Sequence, residues 1–401
     1  MSTGARHWAI NGRFVAQPVT GVQRYAREVV RALDARIAAG DPLARNLSVE
    51  LLVPPDRKDE LALGAIRTRV IGSFGGHGWE QAVLPAKVRG GLVSLCNTGP
   101  LATGRQILCI HDLNTRACPQ SYALPFRLLY RTLVPALAAR VRHVTTVSAC
   151  SAGQLVRYGL CRAQKITIAP DGHEHALRWA SRHSIRTQLA AGPGTVVLLG
   201  SRAPHKNIDL ILGMGERLAQ AGLRVAVVGL SDGRVFGKAQ EREAANIGWL
   251  GRIGDDELAA LLEDCLCLAF PSLVEGFGLP MLEAMVRGCP VVASDRASLP
   301  EIGGDAVLYA PPDRADIWFE RFMQLAEDSA LRHAMIARGR GQAEKFSWDD
   351  TAKRYLELMA GMDGLPLAAG AVPAKVGSGF ASGTARKQTD RSFHRFRETM
   401  K

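Results

Sequence analysis

Residues 269–294 read Ala269-Phe270-Pro271-Ser272, then Glu275-Gly276-Phe277-Gly278-Leu279-Pro280-Met281-Leu282-Glu283, then Arg287-Gly288-Cys289-Pro290-Val291-Val292-Ala293-Ser294. Apolar run, glycine loop, proline-started helix, glycine–proline turn and a second apolar run follow in that order. The pattern predicts strand, tight loop, helix, turn, strand, which only a parallel α/β sheet accommodates readily. Gly276 and Gly278 permit positive φ and close backbone approach. Pro280 suits the first turn of a helix, where a missing N–H costs nothing. The unpaired N–H groups of that turn, with the helix dipole, attract an anion. Glu275 falls at the carboxyl end of the preceding strand, where open α/β sheets bind ligands. Glu283 falls about one turn into the helix, from where a carboxylate reaches sugar hydroxyls. Either acid alone reads as a solvated loop acid or an acid favoured by the helix dipole. The agreement of so many local choices favours a binding site for an anion and a polyol together.

The rest of the chain divides into two α/β halves. Strands are expected at residues 7–10, 49–53, 106–111, 144–148 and 166–169, with His111 at the carboxyl end of one and Ser148 placed to cap the next helix. Val22, Tyr25, Ala26, Val29, Val30 and Leu33 recur at helical spacing and predict a helix over 22–38. A linker is expected near 175–194. The second half opens at 195–199 with a continuous apolar strand, which implies burial on both faces. Gly200, Arg202 and Lys206 follow it, offering a loop and two cations to a phosphate. Helices and strands then alternate, with strands expected at 225–228, 266–270 and 291–293 and a helix at 258–263, to terminal helices at about 331–345 and 349–359. From about residue 363 the chain is rich in Ala, Gly, Ser and Thr with a basic end, the composition of a disordered tail.

The string Glu275 to Glu283 resembles the Glu-x7-Glu signature of retaining glycosyltransferases of family 4, which have the GT-B fold. Thr20-Gly21-Val22-Gln23-Arg24-Tyr25 is similar to that family's N-terminal glycine loop, and Ile110-His111-Asp112-Leu113 to its histidine region. Gly200 to Asn207 resembles its phosphate loop. Gly248-Trp249-Leu250-Gly251-Arg252-Ile253, followed by Asp255-Asp256-Glu257-Leu258, resembles its nucleotide-base segment. The resemblance implies two Rossmann-like domains whose parallel sheets face a central cleft. Residues 1–180 would be the acceptor side and 181–345 the nucleotide-sugar side. Residues 346–362 would form a helix crossing back to the first domain, and 363–401 the basic tail.

The reaction implied is hexosyl transfer from a nucleotide-diphosphate sugar to a glycan or polyprenyl-diphosphate-linked saccharide, with retention. His111 and Glu275 would be catalytic. Gly21, Arg202, Lys206, Arg252, Ile253, Gly276, Phe277, Gly278, Leu279 and Glu283 would bind the donor. Lys206 and Arg202 would take the diphosphate, Glu275 the sugar hydroxyls and Glu283 the ribose. Asp112 would orient neighbouring groups or cap the loop, without a catalytic role. Resemblance to bacterial polysaccharide mannosyltransferases makes GDP-mannose the first donor to consider. No Asp-x-Asp motif stands where a diphosphate-bound metal would need it, so neither metal nor cofactor is expected.

Charge distribution separates the halves. Residues 1–180 hold 23 Lys and Arg against 11 Asp and Glu, whereas 181–362 hold 20 against 24. A basic first half points to an anionic surface such as membrane headgroups or a lipid diphosphate. The stretch 123–143 mixes Leu124, Phe126, Leu128, Leu129, Leu133, Val134 and Leu137 with Arg127, Arg131, Arg140 and Arg142. It reads equally as a helix lying on an anionic membrane or as a core helix with solvated arginines. No apolar run approaches the roughly 18 residues of a membrane span, the first 18 residues lack a signal-peptide core, and the cysteines form no disulfide or zinc framework. These features predict a cytoplasmic protein, with peripheral attachment to the inner face of the membrane as one of the two readings of the basic helix. Two other classes fit parts of the sequence. A sugar-nucleotide epimerase of similar fold would need acid and base groups flanking the sugar, and none are identifiable. A nucleic-acid-binding protein would need aromatic residues interleaved with the basic ones, so no nucleic-acid partner is expected.

Overall fold

The computed structural model describes residues 4–200, 203–229 and 244–366. The expected tail lies almost wholly outside the described residues. Two parallel sheets organise the chain. The first contains β1 (Arg6–Asn11), β2 (Leu47–Val53), β3 (Arg67–Val70), β4 (Gly91–Ser94), β5 (Gln106–Cys109), β6 (His143–Thr146) and β7 (Ile166–Ile168), in the order β3-β2-β1-β4-β5-β6-β7. The second contains β8 (Thr195–Leu199), β9 (Arg224–Val228), β10 (Ile247–Gly251), β11 (Cys267–Phe270), β12 (Val291–Ser294) and β13 (Leu308–Ala310), in the order β10-β9-β8-β11-β12-β13. Central strands are buried along their lengths, as parallel sheets covered on both faces require. β3, β4, β10 and β13 escape the sequence reading. β3 shows why: its Arg67-Thr68-Arg69-Val70 is largely exposed at the sheet edge and carries no apolar run.

The helix Trp348–Met362 returns to the first lobe and lies along the helix Gly21–Ala38. Ser347 caps it, taking N–H bonds from Asp349 and Asp350. Tyr355 Oη lies 3.0 Å from Tyr25 Oη and 2.8 Å from Thr145 Oγ1. At its far end Asp363 takes a bond of 2.6 Å from Arg6 Nε and bonds of 3.0 and 3.1 Å from the Trp8 indole. Tyr25, Thr145, Arg6 and Trp8 belong to the first lobe, so the last helix is anchored there by polar contacts within a packed apolar face.

The stretch expected to be a linker is partly helical. Short helices Glu174–Leu177 and Ile185–Ala190 occupy it, and His175 and Ala176 are buried. The lobes also meet directly. Ser148 caps the helix Ala149–Arg157 as expected, accepting from Ser151 N–H at 3.0 Å. Glu301 of the second lobe adds its carboxylate to the same helix start, 2.7 Å from Ala149 N and 3.0 Å from Cys150 N. A carboxylate there satisfies unpaired N–H groups and the dipole at once.

The helix Leu124–Arg140 divides along its length. Leu133, Val134, Leu137 and Ala138 are buried, while Leu124 and Leu128 are 59% and 57% exposed. The core reading therefore holds for the second half of this helix, and the first half lies exposed.

Candidate active site

The second sheet reverses its strand order between β8 and β11. Loops leaving two such strands diverge and leave a crevice at their carboxyl ends. β8 runs through Gly200 toward the single turn Pro204–Lys206. β11 runs into loop 271–278 and the helix Leu279–Val286. Leu273 N–H donates to the His205 carbonyl at 2.8 Å, which ties the two loops together. Lys206 Nζ lies 2.7 Å from Glu275 Oε1 and 5.5 Å from the centre of the Phe270 ring. The lysine expected on phosphate and the carboxylate expected on sugar are paired with each other.

Gly278 has φ of 111°, a conformation that glycine adopts at little cost, and Leu299 would meet a side chain there. Ser298 Oγ lies 2.8 Å from the Phe277 carbonyl and 3.1 Å from the Glu275 carbonyl, which braces the loop. The Phe277 ring packs edge-on against Phe346 at 5.5 Å, and Leu279 is also buried. What this stretch offers a ligand is therefore its backbone. Arg252 and Ile253 follow β10 at the sheet edge, the first exposed and the second half-buried. Arg202 lies outside the described residues. Gly21 starts the first helix at an exposed position with open space around it.

His111 enters from the first lobe. β5 ends at Cys109, two residues earlier than expected, and the His111 N–H turns from the sheet to Asn97 Oδ1 at 2.7 Å. Its Nε2 lies 2.8 Å from the Leu95 carbonyl, so that nitrogen carries a proton. The ring stands edge-on to Tyr25 at 4.7 Å. Burial opposes its protonation, but Cys109, Asp171 and the Leu95 carbonyl outweigh it and push the pKa up to about 9. Gly276 of the second lobe is pressed against this segment: a Cβ on it would lie 2.7 Å from the His111 carbonyl oxygen. The Gly276 carbonyl accepts from Ser148 Oγ at 2.6 Å. Burial raises the pKa of Asp112, and Glu275 adds to the shift while Lys206 opposes it.

One turn into the helix Leu279–Val286, Glu283 is 6% exposed. Its Oε1 lies 2.9 Å from His175 Nε2 and 3.8 Å from Arg24 Nε. Arg24 also pairs with Asp255 at 2.6 Å and covers the Trp179 ring at 5.3 Å. Asp171 is buried nearby. Burial raises its pKa to about 7, and Glu283 adds to the shift while His111 opposes it. Arg24, Asp171 and His175 escaped the sequence reading as site residues. Arg24 stood inside the glycine-loop string without a role. Asp171 and His175 sit around a glycine turn that read as the start of a linker, and nothing in their spacing marks them.

A second crevice lies at the reversal of the first sheet, between β1 and β4. It is a cavity of about 360 Å³ whose lining includes Thr20, Asn97 and Asp112. Tyr122, Phe126 and Tyr130 line it as a stack, with ring centres 5.7 and 4.1 Å apart. His205 of the second lobe continues the stack 6.0 Å from Tyr122. Burial and Lys206 hold His205 down to about 4, so this ring stays uncharged at neutral pH. Among the described residues no group of three or more His, Cys, Asp or Glu side chains is arranged to hold a metal ion.

Residues 181–342 match the family model described as glycosyl transferases group 1. The chain is 29% identical over 265 residues to O-antigen chain mannosyltransferase B of Escherichia coli, covering 61% of this chain and 68% of that protein. It is 43% identical over 109 residues to serotype-specific mannosyltransferase WbdA of Escherichia coli, but spans only 13% of that longer protein. Among solved structures it resembles sucrose-phosphate synthase of Thermosynechococcus elongatus, with a TM-score of 0.66, 20% identity and coverage of 88% of this chain and 98% of that one. It also resembles Anabaena HepE in complex with UDP and glucose, with a TM-score of 0.63, 18% identity and coverage of 89% and 100%.

Proposed function

We propose that this protein moves a hexosyl group from a nucleotide-diphosphate sugar to a saccharide acceptor in surface polysaccharide synthesis, a reading supported by the match of residues 181–342 to the glycosyl transferases group 1 model and by the GT-B fold. The observation that carries the reading is the Lys206–Glu275 pair at the second sheet's reversal, with Gly276 pressed against His111 of the opposite lobe. A cation, a carboxylate and a helix N-terminus converge there on one crevice, which suits a diphosphate attached to a polyol. The mannosyltransferase names of the relatives favour a mannosyl group, and GDP-mannose is the donor we propose.

In this reading Lys206, Arg202 and the first-turn N–H groups of helix Leu279–Val286 hold the diphosphate, and Gly21 completes the cradle with its backbone. Glu275 and the backbone of Gly276, Phe277, Gly278 and Leu279 hold the sugar. Glu283 holds the ribose, and Arg252 and Ile253 lie along the base. The bond from the anomeric carbon to the phosphate oxygen breaks, and its electron pair leaves with the diphosphate. The acceptor oxygen bonds to the same face of that carbon, and its proton passes to the departing phosphate oxygen. Configuration is thereby retained. Lys206 stabilises the charge growing on the leaving group, so neither a strong general acid nor a protein-held metal is required. His111 would contact the donor sugar and support the developing positive charge at the anomeric centre through its backbone carbonyl oxygen.

The cavity of the first lobe suits the acceptor. Its aromatic lining of Tyr122, Phe126 and Tyr130 offers apolar surface to a pyranose ring, and Asp112 offers an acceptor for its hydroxyls. The exposed Leu124 and Leu128, beside Arg127 and Arg131, suit contact with an anionic membrane that carries a lipid-linked acceptor. No helix among the described residues is long and apolar enough to cross that membrane.

A thermal-shift panel of nucleoside diphosphates and sugar nucleotides tests the donor site, since a ligand bound only by the folded protein raises Tm. GDP and GDP-mannose should raise it most. Release of nucleoside diphosphate should then accelerate on addition of a mannoside acceptor. No shift with any member of the panel would overturn the reading.

A further inference from the structure

Glu283 is held from outside its own helix, by a chain that begins on the first lobe. Trp348 opens the helix Trp348–Met362, which is anchored to Tyr25 and Thr145 through Tyr355. Its indole Nε1 lies 3.0 Å from His175 Nδ1. An indole nitrogen only donates, so Nδ1 must accept and carries no proton. The ring proton is therefore on Nε2, where it is directed at Glu283 Oε1 at 2.9 Å. His175 is 1% exposed, and the rings of Trp179 and Trp348 stand edge-on to it at 5.4 and 5.7 Å. Its rotamer and its tautomer are both determined by neighbours.

We infer that His175 is a positioning residue for ribose recognition: held by Trp348, it aims the Glu283 carboxylate at the ribose hydroxyls of a nucleoside diphosphate. The inference rests on the reading of Glu283 as the ribose ligand. A carboxylate on a helix has several rotamers of similar energy, and each hydroxyl bond it makes requires one of them. The Nε2–H bond to Oε1 selects a rotamer before the ligand arrives, and the Arg24 guanidinium 3.8 Å away faces the same oxygen. Ribose recognition in the second lobe is thus assembled by three separate parts of the chain: the signature helix, the segment following Asp171-Gly172, and the helix that rides on the first lobe.

The alternative is that His175 only fills space between two tryptophans. Ribose discrimination separates the two, because packing alone does not distinguish a ribose from a deoxyribose. Kd would be measured by calorimetry for GDP, UDP and ADP and for their 2′-deoxy forms. The wild type should favour the ribonucleotide roughly tenfold or more, the range of a charge-assisted hydrogen bond. In His175→Leu that ratio should fall toward one. His175→Gln, which restores a side-chain N–H donor, should keep most of it. Trp348→Phe, which removes only the indole donor, should lie between and stands in for His175→Leu if that variant does not fold. Glu283→Ala is the reference for complete loss. If Glu283→Ala loses the ratio while His175→Leu and Trp348→Phe keep it, the assignment of His175 is overturned and Glu283 stands. If Glu283→Ala keeps the wild-type ratio, the ribose reading of Glu283 falls and the role of His175 falls with it.

Discussion

Lys206 Nζ and Glu275 Oε1 are 2.7 Å apart, with each side chain largely buried. The two groups proposed for the donor's diphosphate and its sugar therefore neutralise each other before a ligand arrives. A buried ion pair is costly to break by removing one partner, because the other charge is left uncompensated. A diphosphate sugar avoids that cost: its phosphate takes the ammonium while its hydroxyls take the carboxylate.

This pairing predicts opposite behaviour for the two residues. Glu275→Gln should leave nucleoside-diphosphate affinity unchanged or higher, because Lys206 is released, while transfer falls about 10²-fold or more, as for loss of a transition-state contact. Lys206→Ala should weaken nucleoside-diphosphate binding at least tenfold, as loss of a charge-assisted bond does. Calorimetry beside steady-state kinetics reads both. Equal losses of affinity in the two variants would refute the division of roles.

Gly276 should tolerate no side chain. A Cβ would lie 2.7 Å from the His111 carbonyl oxygen and 3.1 Å from Asp112 Cβ, distances that force the lobes apart. Gly276→Ala is expected to lower kcat by about an order of magnitude or more, in line with the sensitivity of catalysis to small misplacements, with a smaller effect on nucleoside-diphosphate Kd. Unchanged kcat would mean that this interlobe contact is absent during turnover.

The buried Asp171 should make stability depend on pH. Burial raises its pKa from 3.8 to about 7, so between those values the folded protein keeps a proton that the unfolded chain has released. Folding is favoured at the acid end of that window, and stability is lost as pH rises through 7. His111, raised from 6.5 to about 9, continues the same trend at higher pH. Asp171→Asn should therefore gain on the wild type as pH rises from 4 to 7, by on the order of a few kcal/mol. Thermal melts of both proteins across that range decide it; a constant difference would place the titration elsewhere.

The exposed end of helix Leu124–Arg140 should bind anionic lipid. Wild-type protein is expected to sediment with phosphatidylglycerol-containing vesicles at low ionic strength and to be released by salt. Changing Leu124 and Leu128 to Ser should abolish sedimentation while leaving donor binding intact. No sedimentation of the wild type at low salt would remove the membrane proposal.

The legible parts of this chain were those carried by local rules. The strand Thr195–Leu199, the first helix and the cap at Ser148 follow from apolar spacing and a hydroxyl in the right place. Arg67–Val70 was illegible because an edge strand needs no apolar run. The 175–194 stretch read as a linker because its helices are short, and such helices form only when packing supplies what propensity lacks.

The sequence by itself determined the α/β alternation, the loop and helix from Glu275 to Glu283, and the residue types fit for phosphate and polyol. Periodicity and glycine–proline chemistry are properties of neighbouring residues, so they survive without a fold. Tertiary structure alone decided which of those groups face each other. It paired Lys206 with Glu275 across 69 positions, pressed Gly276 onto His111, and set His175 between Trp348 and Glu283. Those relations depend on how two sheets and a returning helix pack, and no local pattern encodes a hydrogen bond between residues brought together only when distant segments bury their apolar faces.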